Sequence, residues 1–287
     1  MKSEILSRPN TTARLIADRA LPVRLPTTLR GVSVVPDLLT ALPAAVVLLA
    51  LLTGLLLAAR IRAPWSSAYA VLRGTVQLAV LAFVLTGALT SIGWVVVFLF
   101  VMFAVAWRAA FKRARALGES VGLRRTAAVI GIGMFTGTAV TLLTVFGLRG
   151  LEFSPSYLLA LGGIVIGNCM TFSTLTVQRL RSLLDDRWPE VEAWLALGAT
   201  PRQATAQLGR EAVYSALVPN VDKTRTTGLV TLPGAFVGAL FGGSPPYEAG
   251  LFQMFVLIGI MTAGAVVSIT ITTTLAPRAK KPVLDSD

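Results

Sequence analysis

Charged residues punctuate this chain rarely, and the gaps between them set its architecture. A helix crossing a bilayer needs about 20 mostly apolar residues. Five stretches free of Asp, Glu, Lys and Arg meet that need: residues 38–59, 126–148, 153–178, 226–247 and 249–277. A further uncharged run, 74–107, is too long for one crossing. It divides at Thr86-Gly87-Ala88-Leu89-Thr90-Ser91, where polar residues and glycine interrupt the aliphatic pattern, giving one helix from about Trp65 and another from about Ile92. The pattern predicts an all-α, polytopic membrane protein with seven transmembrane helices. The spanning domain covers residues 37–277, between a basic tail at 1–36 and a short tail at 278–287.

Composition agrees. Of 287 residues, 54% are hydrophobic and 14% charged, with a mean hydropathy of +0.73; an ordinary soluble domain carries about 25% charged residues. The formal net charge is +12. In a soluble chain this would suggest nucleic acid, but in a membrane protein basic residues gather in cytoplasmic loops and fix orientation, so the implied partner is the lipid bilayer. The connections after the first, third and fifth spans, with the C-terminal tail, hold sixteen Lys and Arg besides Lys223 and Arg225 next to Asp222; the opposite side holds Arg149 alone. That asymmetry places the C-terminus in the cytoplasm. Seven crossings then leave the N-terminus outside, against Lys2, Arg8, Arg14, Arg19, Arg24 and Arg30. Either the tail is translocated against its charge or the natural start lies downstream; it lacks the apolar core of a signal peptide.

The same inventory excludes chemistry. There is no histidine, which removes Ser-His and Cys-His dyads and histidine-ligated zinc or haem. One cysteine, Cys169, allows no internal disulfide. No G-x-x-x-x-G-K-[ST] occurs, so the chain carries no P-loop of its own and is not expected to bind a cofactor.

Polar groups at membrane depth mark candidate pathway residues. In the second span Tyr69, Arg73 and Gln77 recur every four residues and share a face. A charge there is costly in lipid, so the stripe faces protein or a wet cavity: it is either a structural clamp or a pathway lining. In the fifth span Gly163 and Gly167 fit the small-xxx-small packing pattern. Asn168, Cys169 and Met170 beside them offer oxygen and sulfur donors to a cation, although three consecutive residues cannot all face one ion. Gly234, Gly238 and Gly242 form a packing row in the sixth span, within the chain or between subunits. Asp222 precedes that row and can pair with Lys223 or Arg225, at the cytoplasmic interface or in a broken start of the span.

The longest connection, about 180–212, reads as a helical hairpin. Pro189 suits a first helical position, with Glu190 and Glu192 near the positive helix end. Val191, Trp194 and Leu195 form an apolar face. Gly198 stops the helix, Thr200 caps the next, Pro201 opens it, and Gln203 completes a capping box. A short helix, glycine turn and short helix jutting from a membrane domain suit docking into another protein's groove, or else lie on the headgroups. The spacing Glu192-Ala193-Trp194-x-x-x-Gly198, then nine residues, then Leu208, resembles a degenerate EAA loop of bacterial ABC permeases, the loop that docks on the ATPase.

With these residues assembled, the chain resembles the FetB/YbbM family of ABC-type permeases, which also has plant relatives tied to aluminium tolerance. The segments that carry the resemblance are Leu72-Arg73-x-x-x-Gln77-Leu78, Ala106-Trp107 with the basic loop behind it, Gly167-Asn168-x-Met170, Leu197-Gly198-Ala199-Thr200-Pro201-x-Gln203-Ala204, and the run from Pro219 through Asp222 and Arg225-Thr226 to Leu232-Pro233-Gly234. Arg225 stands where the family leads us to expect Lys. The resemblance implies a permease subunit, a homodimer, in a bacterial inner membrane. It implies a separately encoded ABC ATPase that holds ATP and magnesium, with iron export as the activity and a nucleotide sugar as an alternative cargo. The pathway residues are then Arg73, Gln77, Asn168, Met170 and Asp222, and the coupling residues Glu192, Trp194, Leu195, Gly198, Thr200 and Pro201. Rival classes are a secondary transporter, which would typically show an internal repeat, an intramembrane enzyme built on serine or Asp222, and a membrane scaffold.

Overall fold

Where no water reaches the backbone, an aliphatic run pairs its amides within itself, and helix is the open-chain solution. The computed structural model describes residues 38–60, 64–88, 91–115 and 122–279, and these are helical almost throughout. The basic tail at 1–36 and residues 280–287 lie outside the described residues. The helices are α1 (Leu38–Ala58), α2 (Pro64–Ala88), α3 (Ile92–Arg115), α4 (Leu123–Gly147), α5 (Pro155–Asp186), α6 (Trp188–Ala196), α7 (Pro201–Thr226), α8 (Gly234–Phe241) and α9 (Pro246–Leu275), with a 3₁₀ turn at Ala276–Arg278. The chain divides into two compact units, residues 1–81 and 82–287. The first holds α1, with Pro43 inside it, and most of α2.

In the second unit α9 packs against α4, α5, α7 and α8, and α5 packs against α3, α4 and α7. Without a hydrophobic driving force between lipid-solvated helices, close backbone approach and interhelical hydrogen bonds carry the association. Both occur here. The buried hydroxyls of Thr176 and Ser268 lie 2.8 Å apart and join α5 to α9. The Trp107 indole N–H donates to the Ala127 carbonyl at 2.8 Å and ties α3 to α4. A Cβ at Gly264 would stand 2.5 Å from the Phe172 ring, and one at Gly137 would stand 2.9 Å from the Ala263 carbonyl oxygen.

Four helices among the described residues are long and apolar enough to cross a membrane: α3, α4, α5, and α9 with its terminal turn. The expectation of seven continuous spans fails at the sixth. Residues 226–247 are not one helix: α7 ends at Thr226, a connection follows, and α8 has eight residues, about 12 Å against a hydrocarbon core of about 30 Å. The break has local causes. Gly228 (φ 87°) and Gly243 (φ 91°) adopt left-handed conformations, and Pro233 and Pro245 stand just before the helices that follow. Two other boundaries also move. α5 continues past Gln178 to Asp186, and the second hairpin helix, expected to be short, runs 26 residues to Thr226.

Candidate functional site: the hairpin and the broken helix

The turn and caps of the hairpin form as the sequence foretold, although its second helix is long. α6 opens with Trp188 and Pro189 and carries Glu190 in its first turn. It ends in a Schellman arrangement: Gly198 takes φ 89°, its N–H donates to the Leu195 carbonyl at 3.0 Å, and the Ala199 N–H donates to the Trp194 carbonyl at 3.0 Å. Thr200 and Gln203 then form a reciprocal capping box at the start of α7. The Thr200 N–H donates to Gln203 Oε1 at 2.8 Å, and the Gln203 N–H donates to Thr200 Oγ1 at 3.4 Å. Val191 is buried, so of the predicted apolar face only Trp194 (50% exposed) and Leu195 (39%) face outward, joined by Leu197 at 81%.

An ion-pair knot fixes the hairpin's base. Arg187, between α5 and α6, bridges Glu190 at 2.6 Å and Glu211 of α7 at 2.8 Å, while the Gln207 side-chain amide donates to Glu211 at 3.2 Å. The hydrogen bond from Arg187, helped by that from Gln207, holds the Glu211 carboxyl below the usual glutamate range. Sequence reasoning missed this knot. Arg187 and Glu190 are neighbours at helical spacing, but Glu211 is 24 residues away, and only the fold brings it round.

The far end of α7 forms the second element. α7 runs antiparallel to α9: Gly209 sits beside Thr272, whereas Thr224 and Thr227 share a cavity of about 510 Å³ with Gly250, Gln253, Met254 and Ile258. The end of α7 therefore stands beside the first half of α9, some 6–18 Å along that helix at 1.5 Å per residue. Gln253 is 7% exposed and lines this cavity, and its Oε1 has no hydrogen-bond partner among the described residues. Asp222 lies one turn before the break, exposed, and pairs with Arg225 at 3.4 Å, one of its two expected partners. Gln253 was also missed, because a lone glutamine in an apolar run has no pattern to mark it.

The remaining candidates divide between the units. Arg73 and Gln77 are exposed, one turn apart on α2 in the first unit. On α5, Asn168 donates to the Ile164 carbonyl of its own helix at 2.8 Å. Cys169 is buried against Thr138, Sγ to Oγ1 3.7 Å, and Met170 packs half-buried on the core. Neither a hydrogen bond nor an ion pair links Asn168 to Asp222 among the described residues. The predicted glycine rows are open within the chain. A Cβ at Gly167, Gly234 or Gly238 meets nothing within 4 Å, one at Gly163 meets only the Met102 side chain, and one at Gly242 meets only the carbonyls of its own preceding turn. Close packing falls instead to Gly137, Gly162, Gly259 and Gly264. Gly133-x-x-x-Gly137 carried the signal that could have found one of these contacts.

Long apolar helices that pack through small residues and hydroxyls, with a capped polar hairpin at one end, define a polytopic integral membrane protein. Comparison with known proteins makes this specific. The chain belongs to UPF0014, described as an uncharacterised protein family, whose model matches residues 39–279. It is 37% identical over 206 residues to the rice (Oryza sativa subsp. japonica) UPF0014 membrane protein STAR2, covering 71% of this chain and 70% of the relative. It is 36% identical over 206 residues to the Arabidopsis thaliana protein ALUMINUM SENSITIVE 3, covering 71% and 73%. With the Escherichia coli probable iron export permease protein FetB it shares 31% identity over 171 residues, covering 60% and 63%. No solved structure matches the chain.

Proposed function

We propose that this protein is the membrane permease subunit of an ATP-driven ABC transporter, working as a homodimer with a separately encoded ATPase that binds ATP and magnesium. The observation that carries this reading is the α6–Gly198–α7 hairpin, which presents Trp194, Leu195 and Leu197 to solvent on a rigid, ion-paired base. Exposed aromatic and aliphatic anchors of this kind fit a groove on a partner. α7 supplies the coupling. One helix of 26 residues, about 39 Å long, joins the docked hairpin to the break beside Gln253. Closure of the ATPases would push the hairpin and displace Asp222, Arg225 and the break, with Pro219 as the point where α7 lacks a backbone donor and can bend. Broken helices inside a membrane domain are where transporters expose polar groups to cargo. We assign the pathway in the second unit to this break, with Asp222 and Gln253, and to Asn168 and Met170 on α5; Arg73 and Gln77, in the first unit, are pathway candidates on their sequence pattern.

The FetB relative supports iron export as the activity and a bacterial plasma membrane as the location. A second reading, an organic cargo, is favoured by the cavity itself. Its walls are Leu232, Pro233, Phe236, Met254, Leu257 and Ile258, with Gln253 and two threonines as the polar groups, a mixture typical of small-molecule sites.

Replacing Gly198 with Pro tests the docking. Proline cannot adopt φ 89° and deletes the N–H that bonds Leu195. The expected result is normal membrane abundance with loss of ATPase co-purification and of ATP-dependent transport. Trp194→Ala should give a milder loss, about 2 kcal/mol of binding for a buried interface tryptophan. Intact co-purification and transport in both variants would refute the coupling role.

A further inference from the structure

A second cleft opens along the other end of the α7–α9 pair, with a volume of about 570 Å³. Because the two helices run antiparallel, its chemistry is graded. Arg202 and Arg210 line the part toward Pro277, where α9 stops, and Val213, Leu217 and Ile269 line the part that runs into the spans. The arginines are eight residues apart, about 12 Å along one helix. Neither has a carboxylate within 4.0 Å among the described residues. Glu211, the carboxylate nearest in sequence to Arg210, is engaged by Arg187 at 2.8 Å, and Asp222 by Arg225.

Two guanidinium groups with no carboxylate partner among the described residues, beside the end of a helix long and apolar enough to span, suit the level of lipid phosphates, and the apolar continuation of the same cleft suits acyl chains. We propose that this cleft binds one anionic glycerophospholipid, its phosphate between Arg202 and Arg210 and its acyl chains along Val213, Leu217 and Ile269. A free phosphate would satisfy the arginines and leave the apolar half unfilled. A zwitterionic lipid would bring an ammonium group to a site that already holds two cations. Basic recesses between membrane helices recognise anionic headgroups by this combination. The site lies apart from the cavity beside Gln253 and from the exposed hairpin residues Trp194, Leu195 and Leu197.

Native mass spectrometry of the full chain in detergent, titrated with dioleoylphosphatidylglycerol or dioleoylphosphatidylcholine, tests the proposal. One phosphatidylglycerol should be retained in preference to phosphatidylcholine. Arg202→Gln with Arg210→Gln should lower that preference about fivefold for each arginine removed, and Arg115→Gln, outside the cleft, should leave it unchanged. Leu217→Trp fills the apolar end without altering charge and should weaken retention of phosphatidylglycerol. An unchanged preference in the double variant overturns the proposal. So does displacement of the lipid from wild-type protein by inorganic phosphate alone, which would assign the arginines to a free anion. Unaltered lipid retention with loss of dimer or of ATPase capture in the double variant also overturns it, because the cleft would then be a protein interface.

Discussion

The contact between α5 and α9 at Gly264 gives the sharpest stability test. Replacing Gly264 with Ala would set a methyl 2.5 Å from two carbons of the Phe172 ring and 2.7 Å from a third, where normal contact needs about 3.4 Å or more. The ring has nowhere to go: Phe172 is fully buried, a flat side chain inside the core rather than the free end of a flexible one. Overpacking of this kind costs roughly 1–3 kcal/mol, and three short contacts with a rigid ring place it near the top of that range. Alanine's better helix propensity returns about 1 kcal/mol, leaving a net loss of about 2 kcal/mol. Gly167→Ala is the matched control, because a Cβ there meets nothing within 4 Å and only the propensity gain remains. Thermal midpoints of the purified protein in one detergent should fall by several degrees for Gly264→Ala and stay level or rise for Gly167→Ala. Phe172→Ala combined with Gly264→Ala should be less destabilised than the sum of the single changes, since the first vacates the space the second needs. A Gly264→Ala midpoint at or above wild type, with an additive double variant, would refute the packing of α5 against α9 at this level.

Further outcomes follow from the hairpin base, the second span and the charge asymmetry. Because Arg187 lowers the folded-state pKa of Glu211, the knot contributes fully above the ordinary glutamate value of 4.5 and loses its contribution as pH falls through the lowered folded value. Protection of the hairpin from pepsin should therefore fade only below pH 4.5, and Glu211→Gln should remove that step; a profile identical to wild type would show that the knot does not hold the hairpin. Arg73→Leu should reduce transport more than Arg115→Leu, because Arg73 shares a helix face with Gln77 whereas Arg115 ends α3; equal, near-normal transport would make the Arg73 stripe structural. A reporter fused after Asp287 should read cytoplasmic, and its accessibility from outside intact cells would invert the topology.

Features decided within a few consecutive residues were legible in the chain itself. Long uncharged runs fix helix in a solvent that offers the backbone no partner, so the helical class follows from composition alone. The Gly198 turn and the Thr200–Gln203 box are set by side-chain chemistry at fixed short offsets, and both formed as read. Asp222 found Arg225 for the same reason, three residues on along one helix. Continuity was not legible: 226–247 is uncharged and long enough to span, yet glycines and prolines divide it, and hydropathy averages over such breaks. Nor could the chain reveal partners distant in sequence. Glu211 reaches Arg187, Gly264 meets Phe172 and Gln253 comes to line a cavity with Thr224 because α7 folds back antiparallel along α9. Glycine spacing alone did not tell which glycines pack within the chain: Gly137 and Gly264 do, whereas Gly167 and Gly234 are open there, because a helix shows the same small residue to lipid or to a neighbour until the tertiary fold decides which side is covered.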